Sequence, residues 1–236
     1  MKLQLTTIVI GTLTCASFTD AALAPDRVSV FKAPLVCPAA PQIGCGIASK
    51  PILLDLEKQP GVAEAWLNRA GTIIAVVWKP DANAEARSGV AAELKEDHAT
   101  ELEGTSRDEA VKDFLSGKGW YHGTDVDRLS EEEASIIAAR LVRWVQAKSP
   151  LPKDKAEAMQ REFSDSLRKD LTGENERLHQ KPRRLTEIAG DYLKPEQIKV
   201  LKDAIKDEQA IENGRSRYRK KAEFPSARRL KRNDHS

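Results

Sequence analysis

The run Thr72-Ile73-Ile74-Ala75-Val76-Val77-Trp78 carries no charge, is mostly β-branched, and stops at Lys79-Pro80-Asp81. Such side chains pack well on the pleated surface of a sheet. Whatever this chain folds into must therefore place other strands beside that run. Its neighbours in sequence supply them. Val62, Ala65, Trp66 and Leu67 read as a strand, and Asn68-Arg69-Ala70-Gly71 is a turn between the two. Upstream, Arg27-Val28-Ser29-Val30-Phe31 alternates with period two, as a half-buried strand does. Pro51 to Lys58 reads as a short helix with proline in its first turn, ended by Pro60-Gly61. Asn83 is placed to cap a helix through Leu94, and Ala99 to Glu103 reads as a last short strand. The stretch between the first strand and first helix, Pro34 to Gly46, reads as a loop rich in Pro and Gly. The expectation is an α+β fold of order β-α-β-β-α-β over residues 25–104.

From about residue 106 the text reads as helix throughout. Ser130-Glu131-Glu132-Glu133 has the form of a capping box, followed at helical spacing by Ala134, Ile137, Leu141, Trp144 and Val145. Further stripes are Ala156, Met159, Phe163 and Leu167, then Leu185, Ile188, Ala189 and Tyr192, then Ile198, Leu201 and Ile205. Residues 105–213 are thus expected to be a helical region. The net charge of +2 hides an uneven distribution. In residues 214–236, Arg215, Arg217, Arg219, Lys220, Lys221, Arg228, Arg229, Lys231 and Arg232 face only Glu223 and Asp234, so the body of the chain is acidic. This tail is expected to be disordered and to suit anionic partners: anionic lipids, lipopolysaccharide or acidic polymers.

Residues 1–24 have the order of a secretory signal. Lys2 supplies the positive start, Ile8, Val9, Ile10 and Leu13 the apolar heart, and in Ala22-Leu23-Ala24 the two alanines are the small residues before a cut. The apolar run is shorter than the roughly 20 residues a membrane span requires. Thr12-Leu13-Thr14 before Cys15 makes a poor lipobox, and no later segment reads as a span. The expectation is a periplasmic or secreted protein beginning at Pro25.

Only Cys37 and Cys45 remain after such a cut, in Val36-Cys37-Pro38-Ala39-Ala40-Pro41-Gln42-Ile43-Gly44-Cys45-Gly46. Cysteines after strand one, the β-α-β-β-α-β order, and the phrase Leu56-Glu57-Lys58-Gln59-Pro60-Gly61-Val62 resemble the heavy-metal-associated, ferredoxin-like domains. Those domains include copper chaperones and periplasmic mercury-binding proteins. The resemblance covers residues 27–104 and implies a ferredoxin-like fold with metal held between Cys37 and Cys45. The sequence departs from that family in the pair itself, because the family separates its thiols by two residues and this chain by seven.

The pair is open to three readings. Two thiolates favour soft ions such as Cu(I), Hg(II) or Zn(II). In an oxidising compartment two cysteines bracketing a loop commonly form a structural disulfide, contributing about 2–3 kcal/mol. A redox-active pair is the third, although a thioredoxin-type pair has two intervening residues. His122, in Gly119-Trp120-Tyr121-His122-Gly123, belongs either to a small ligand pocket or to a loop anchored by aromatics. Asp125-Val126-Asp127 fails as a calcium loop, since Leu129 stands where an oxygen ligand is needed. No Gly-x-Ser-x-Gly, His-Glu-x-x-His or phosphate-binding glycine loop is present. The leading expectation is a non-enzymatic exported protein that handles a soft metal through Cys37 and Cys45. The alternative is an envelope interaction module with a structural Cys37–Cys45 disulfide and a helical partner-binding region. Intact-mass measurement on protein from the cell envelope is expected to give a chain starting at Pro25; a mass that retains Met1 would refute the processing.

Overall fold

The structure, a computed structural model, describes residues 23–173 and 180–222, with backbone alone from residue 211. Most of the expected signal and the end of the tail lie outside the described residues. The fold is α+β. Strands β1 (Val28–Lys32), β4 (Val62–Asn68), β5 (Ile73–Trp78), β6 (Thr100–Glu101) and β7 (Trp120–His122) make one sheet in the order β6-β1-β5-β4-β7. Every pairing is antiparallel. With α1 (Gly46–Leu56) and α2 (Ala84–Glu96) as connections, β6-β1-β5-β4 has a strand order compatible with a ferredoxin-like unit.

The sheet is buried on both faces, and strand alternation decides which residue goes where. Phe31, Val62, Ala65, Leu67, Ile74, Val76 and Trp78 face the larger core, together with residues of α1 and α2. Val28, Val30, Ala75 and Val77 face the other way, beneath α3 (Gly104–Leu115), which contributes Ala110, Val111 and Phe114. The Trp78 indole donates to Ser29 Oγ at 3.0 Å, so the largest fully buried side chain has its polar atom satisfied.

Two sequence expectations change here. Pro34 to Gly46 is not a plain loop but a second, two-stranded sheet of β2 (Val36–Cys37) and β3 (Ala40–Gly44), turned at Pro38-Ala39. Residues past 106 are not helical throughout, because β7 adds to the sheet edge beside β4. Strands β2 and β7, of two and three residues, are too short for alternation to stand out in the sequence.

Helices α4 (Asp127–Lys148), α5 (Lys153–Leu171), α6 (Lys181–Ala189) and α7 (Pro195–Ala222) follow among the described residues. Their stripes join the larger core, so one continuous cluster runs from Phe31 to Ile205. Ser130 is not a cap. Helix α4 starts three residues earlier, and Ser130 is buried inside it, against Gly46 of α1. Packing on α1 and the Lys50–Asp127 ion pair at 2.7 Å set that start instead of a local cap. Helix α1 likewise begins five residues before Pro51, and Ser49 donates its hydroxyl to the Cys45 carbonyl at 2.6 Å. Between α6 and α7, Tyr192 donates to Glu162 of α5 at 2.5 Å, and that carboxylate holds the phenol above its usual pKa. No helix among the described residues is long and apolar enough to cross a membrane.

The two sheets meet at a glycine crossing. Gly71, at φ +72°, lies so close to the hairpin that an added Cβ would stand 2.5 Å from both Gly44 Cα and the Leu35 carbonyl oxygen. Gly71→Ala is expected to destabilise the protein by about 2 kcal/mol or more, since it adds left-handed strain to a clash. Urea denaturation checks this, and an unchanged midpoint would show that the crossing tolerates a side chain.

Candidate functional site

The hairpin that carries both cysteines is built by backbone hydrogen bonds. Val36 pairs with Gly44, and Cys45 donates its N–H to the Leu35 carbonyl at 2.7 Å. Cys45 is also the residue that precedes α1. The structure therefore brings the two predicted site residues into one small unit, yet it encloses them. Cys37 is 0% exposed and Cys45 2%, packed in the larger core with Ala39, Ala40 and Ile43.

The enclosure is made by the helical region. Arg140 of α4 donates through Nη2 to the Ala39 carbonyl at 2.7 Å, at the hairpin turn, and also pairs with the largely buried Glu208 of α7. One guanidinium thus ties the cysteine hairpin to two helices, with the planar, multi-donor geometry that suits arginine to such a place. Among the described residues, no group of three or more His, Cys, Asp or Glu is arranged to hold a metal ion. Two sulfurs alone suit a two-coordinate soft ion such as Cu(I) or Hg(II). A four-coordinate Zn(II) site would need further ligands.

The predicted anionic-surface residues divide. Arg215, Arg217, Arg219, Lys220 and Lys221 lie within α7, which continues to Ala222 past the expected boundary at 214. Arg228, Arg229, Lys231 and Arg232 lie outside the described residues.

A second assembly lies at the opposite face of the sheet, on the β7 side, and sequence reasoning saw only part of it. His122 and its aromatic neighbours stand on a strand. His122 Nε2 meets Glu57 Oε1 at 3.0 Å, and the Ala65 N–H approaches the same oxygen at 3.4 Å. The His122 ring lies 4.9 Å from Trp66, tilted at 48°. Trp66 makes an edge contact with Phe114 at 5.8 Å, and Phe114 another with Trp120 at 5.1 Å. The Trp66 indole donates to Glu64 at 3.0 Å and the Trp120 indole to Asp113 at 3.1 Å. Trp66, Phe114, Leu115 and Trp120 line an open groove of about 840 Å³, with Arg27 and Glu64 at its rim. Trp66 was the readable clue, a large ring on β4 opposite in phase to the buried Ala65 and Leu67.

Compared with known proteins, the chain matches no family model, no curated protein and no solved structure.

Replacing Arg140 leaves Glu208 charged in a largely apolar setting, the costly way to break a buried pair. Arg140→Ala is expected to cost about 2–4 kcal/mol, and adding Glu208→Gln to recover part of that loss. A double-mutant cycle by chemical denaturation measures the coupling, and strict additivity of the two changes would mean that the pair contributes nothing.

Proposed function

We propose that this chain is an exported, non-enzymatic interaction module of the cell envelope, in which Cys37 and Cys45 serve the fold. The supporting observation is the near-complete burial of both sulfurs beneath α4, with the hairpin turn held by Arg140 and Glu208. A protein that passes metal to a partner needs thiolates that the partner can reach, and a thiol-disulfide oxidoreductase needs the same. Buried cysteine behaves as a small apolar residue, or closes a loop as a disulfide. The helices and the basic end of α7 then offer the surface for a protein partner or an anionic layer of the envelope.

A second reading is soft-metal handling. The resemblance to heavy-metal-associated domains supports it, as does the gathering of both sulfurs into one hairpin. Under that reading Cu(I) or Hg(II) binds after α4 and α7 lift from the hairpin.

Thiol labelling separates the two. In the folded protein, with reductant present, neither cysteine is expected to react with iodoacetamide, and both are expected to react after denaturation. Cys37→Ala is expected to lower stability by about 1 kcal/mol through a small cavity. Rapid labelling in the folded state, or one equivalent of Cu(I) bound and lost on Cys37→Ala, would overturn the interaction-module reading in favour of metal.

A further inference from the structure

One wall of the groove over Trp66, Phe114 and Trp120 is supplied by the end of the leader. Leu23, the first described residue, is partly buried against the smaller core and lines the groove. The segment that carries it enters extended, with Ala24 at φ −73° and ψ 134°. An aliphatic side chain on an extended backbone is therefore what this surface accepts.

What holds the arm lies after Leu23. Arg107 of α3 donates to the Pro25 carbonyl at 2.9 Å and to the Val28 carbonyl at 3.2 Å. The Arg27 guanidinium donates twice to the Trp78 carbonyl, at 3.0 and 2.7 Å. A cut between Ala24 and Pro25 removes Leu23 and leaves these anchors in place. In the groove floor Phe114 and Trp120, each 8% exposed, contact one another edge to face. Loss of Leu23 would take one apolar side chain from this lining and widen the groove over Trp66, Phe114 and Trp120. Leu115, 41% exposed, stands beside it.

We infer that this groove is a docking site, uncovered by signal removal, for an extended segment of a partner protein that presents one aliphatic side chain flanked by small residues. The aromatic floor matches the residues that carry most of the energy at protein interfaces. The inference rests on the interaction-module reading and on the cut after Ala24, and it names where the partner binds.

The probe is the chain's own leader end. An amidated peptide of residues 17–24 is titrated into protein comprising residues 25–236, and tryptophan emission is followed. Saturable binding is expected, weakened about tenfold when the peptide carries Leu23→Ala. Leu115→Glu in the protein, a surface change that the fold tolerates, is expected to weaken it comparably. A protein starting at Leu23 is expected to bind the peptide more weakly than one starting at Pro25, because its own leucine competes. Equal binding of the Leu and Ala peptides, or no saturable binding, would overturn the assignment. So would self-association of the 25–236 protein that Leu115→Glu abolishes, because the occupant would then be a second copy. A failed titration with unreactive thiols removes the groove alone; Cu(I) captured by Cys37 and Cys45 removes the interaction-module reading and leaves the titration result standing.

Discussion

Strand β5 is the element on which the rest of the molecule depends, because it is buried from both sides at once. Ile74, Val76 and Trp78 feed one core while Ala75 and Val77 feed the other. A strand in that position must have covering layers on both faces. The chain provides α3 on one side, and α1, α2 and the helical region on the other. The larger core is continuous from the sheet into the helices, so α4 to α7 pack as part of the structure that covers β5. That continuity also puts the cysteine hairpin under helices: β3 packs against α4, and the apolar residues of the hairpin belong to the larger core.

The consequence for chemistry is a division between the two faces. On the α4 side, two sulfurs, an arginine and a glutamate are gathered and closed off, with charges paired and apolar atoms in contact. On the α3 side, aromatic rings are gathered and left partly open, because one helix of twelve residues covers less sheet than the helices of the larger core do. Indole N–H groups there find carboxylates at the rim, which leaves the ring faces for apolar contact. The cysteine side is closed, and the aromatic side is open with the His122–Glu57 pair at its margin.

Much of this was legible in the residues. The β-α-β-β-α-β order, the Asn83 cap with its 2.9 Å bond from the Ala86 N–H, and nearly every helical stripe follow from periodicity and local chemistry. Trp144 is the exception among the stripe residues, 45% exposed at the margin of the α4 face. The errors share a cause. The β2–β3 hairpin, β7 and the true starts of α1 and α4 are set by distant partners: Gly71 against Gly44, Asn68 against Trp120, and Gly46 against Ser130. Local propensity carries no record of such contacts. The candidate sites were half legible for the same reason. Cysteine spacing announces a pair, but only the Arg140 contact reveals that the pair is covered. His122 announces a polar group among aromatics, but only sheet pairing brings Trp66 beside it.

The position of β1 has a consequence for how the chain comes to be folded. It is the first strand made, yet it lies between β5 and β6, against residues more than forty positions later in sequence. A chain that emerges amino end first therefore presents Val28 to Phe31 long before anything exists to cover them. Loop closure over such distances is slow, and antiparallel sheets rich in distant pairings fold late. Until Trp78 has cleared the exit, the leading strand remains an exposed apolar edge. Burial of Val28 to Phe31 therefore waits on the synthesis of β5, and the order of the chain, not the strength of any one contact, sets when the sheet can close.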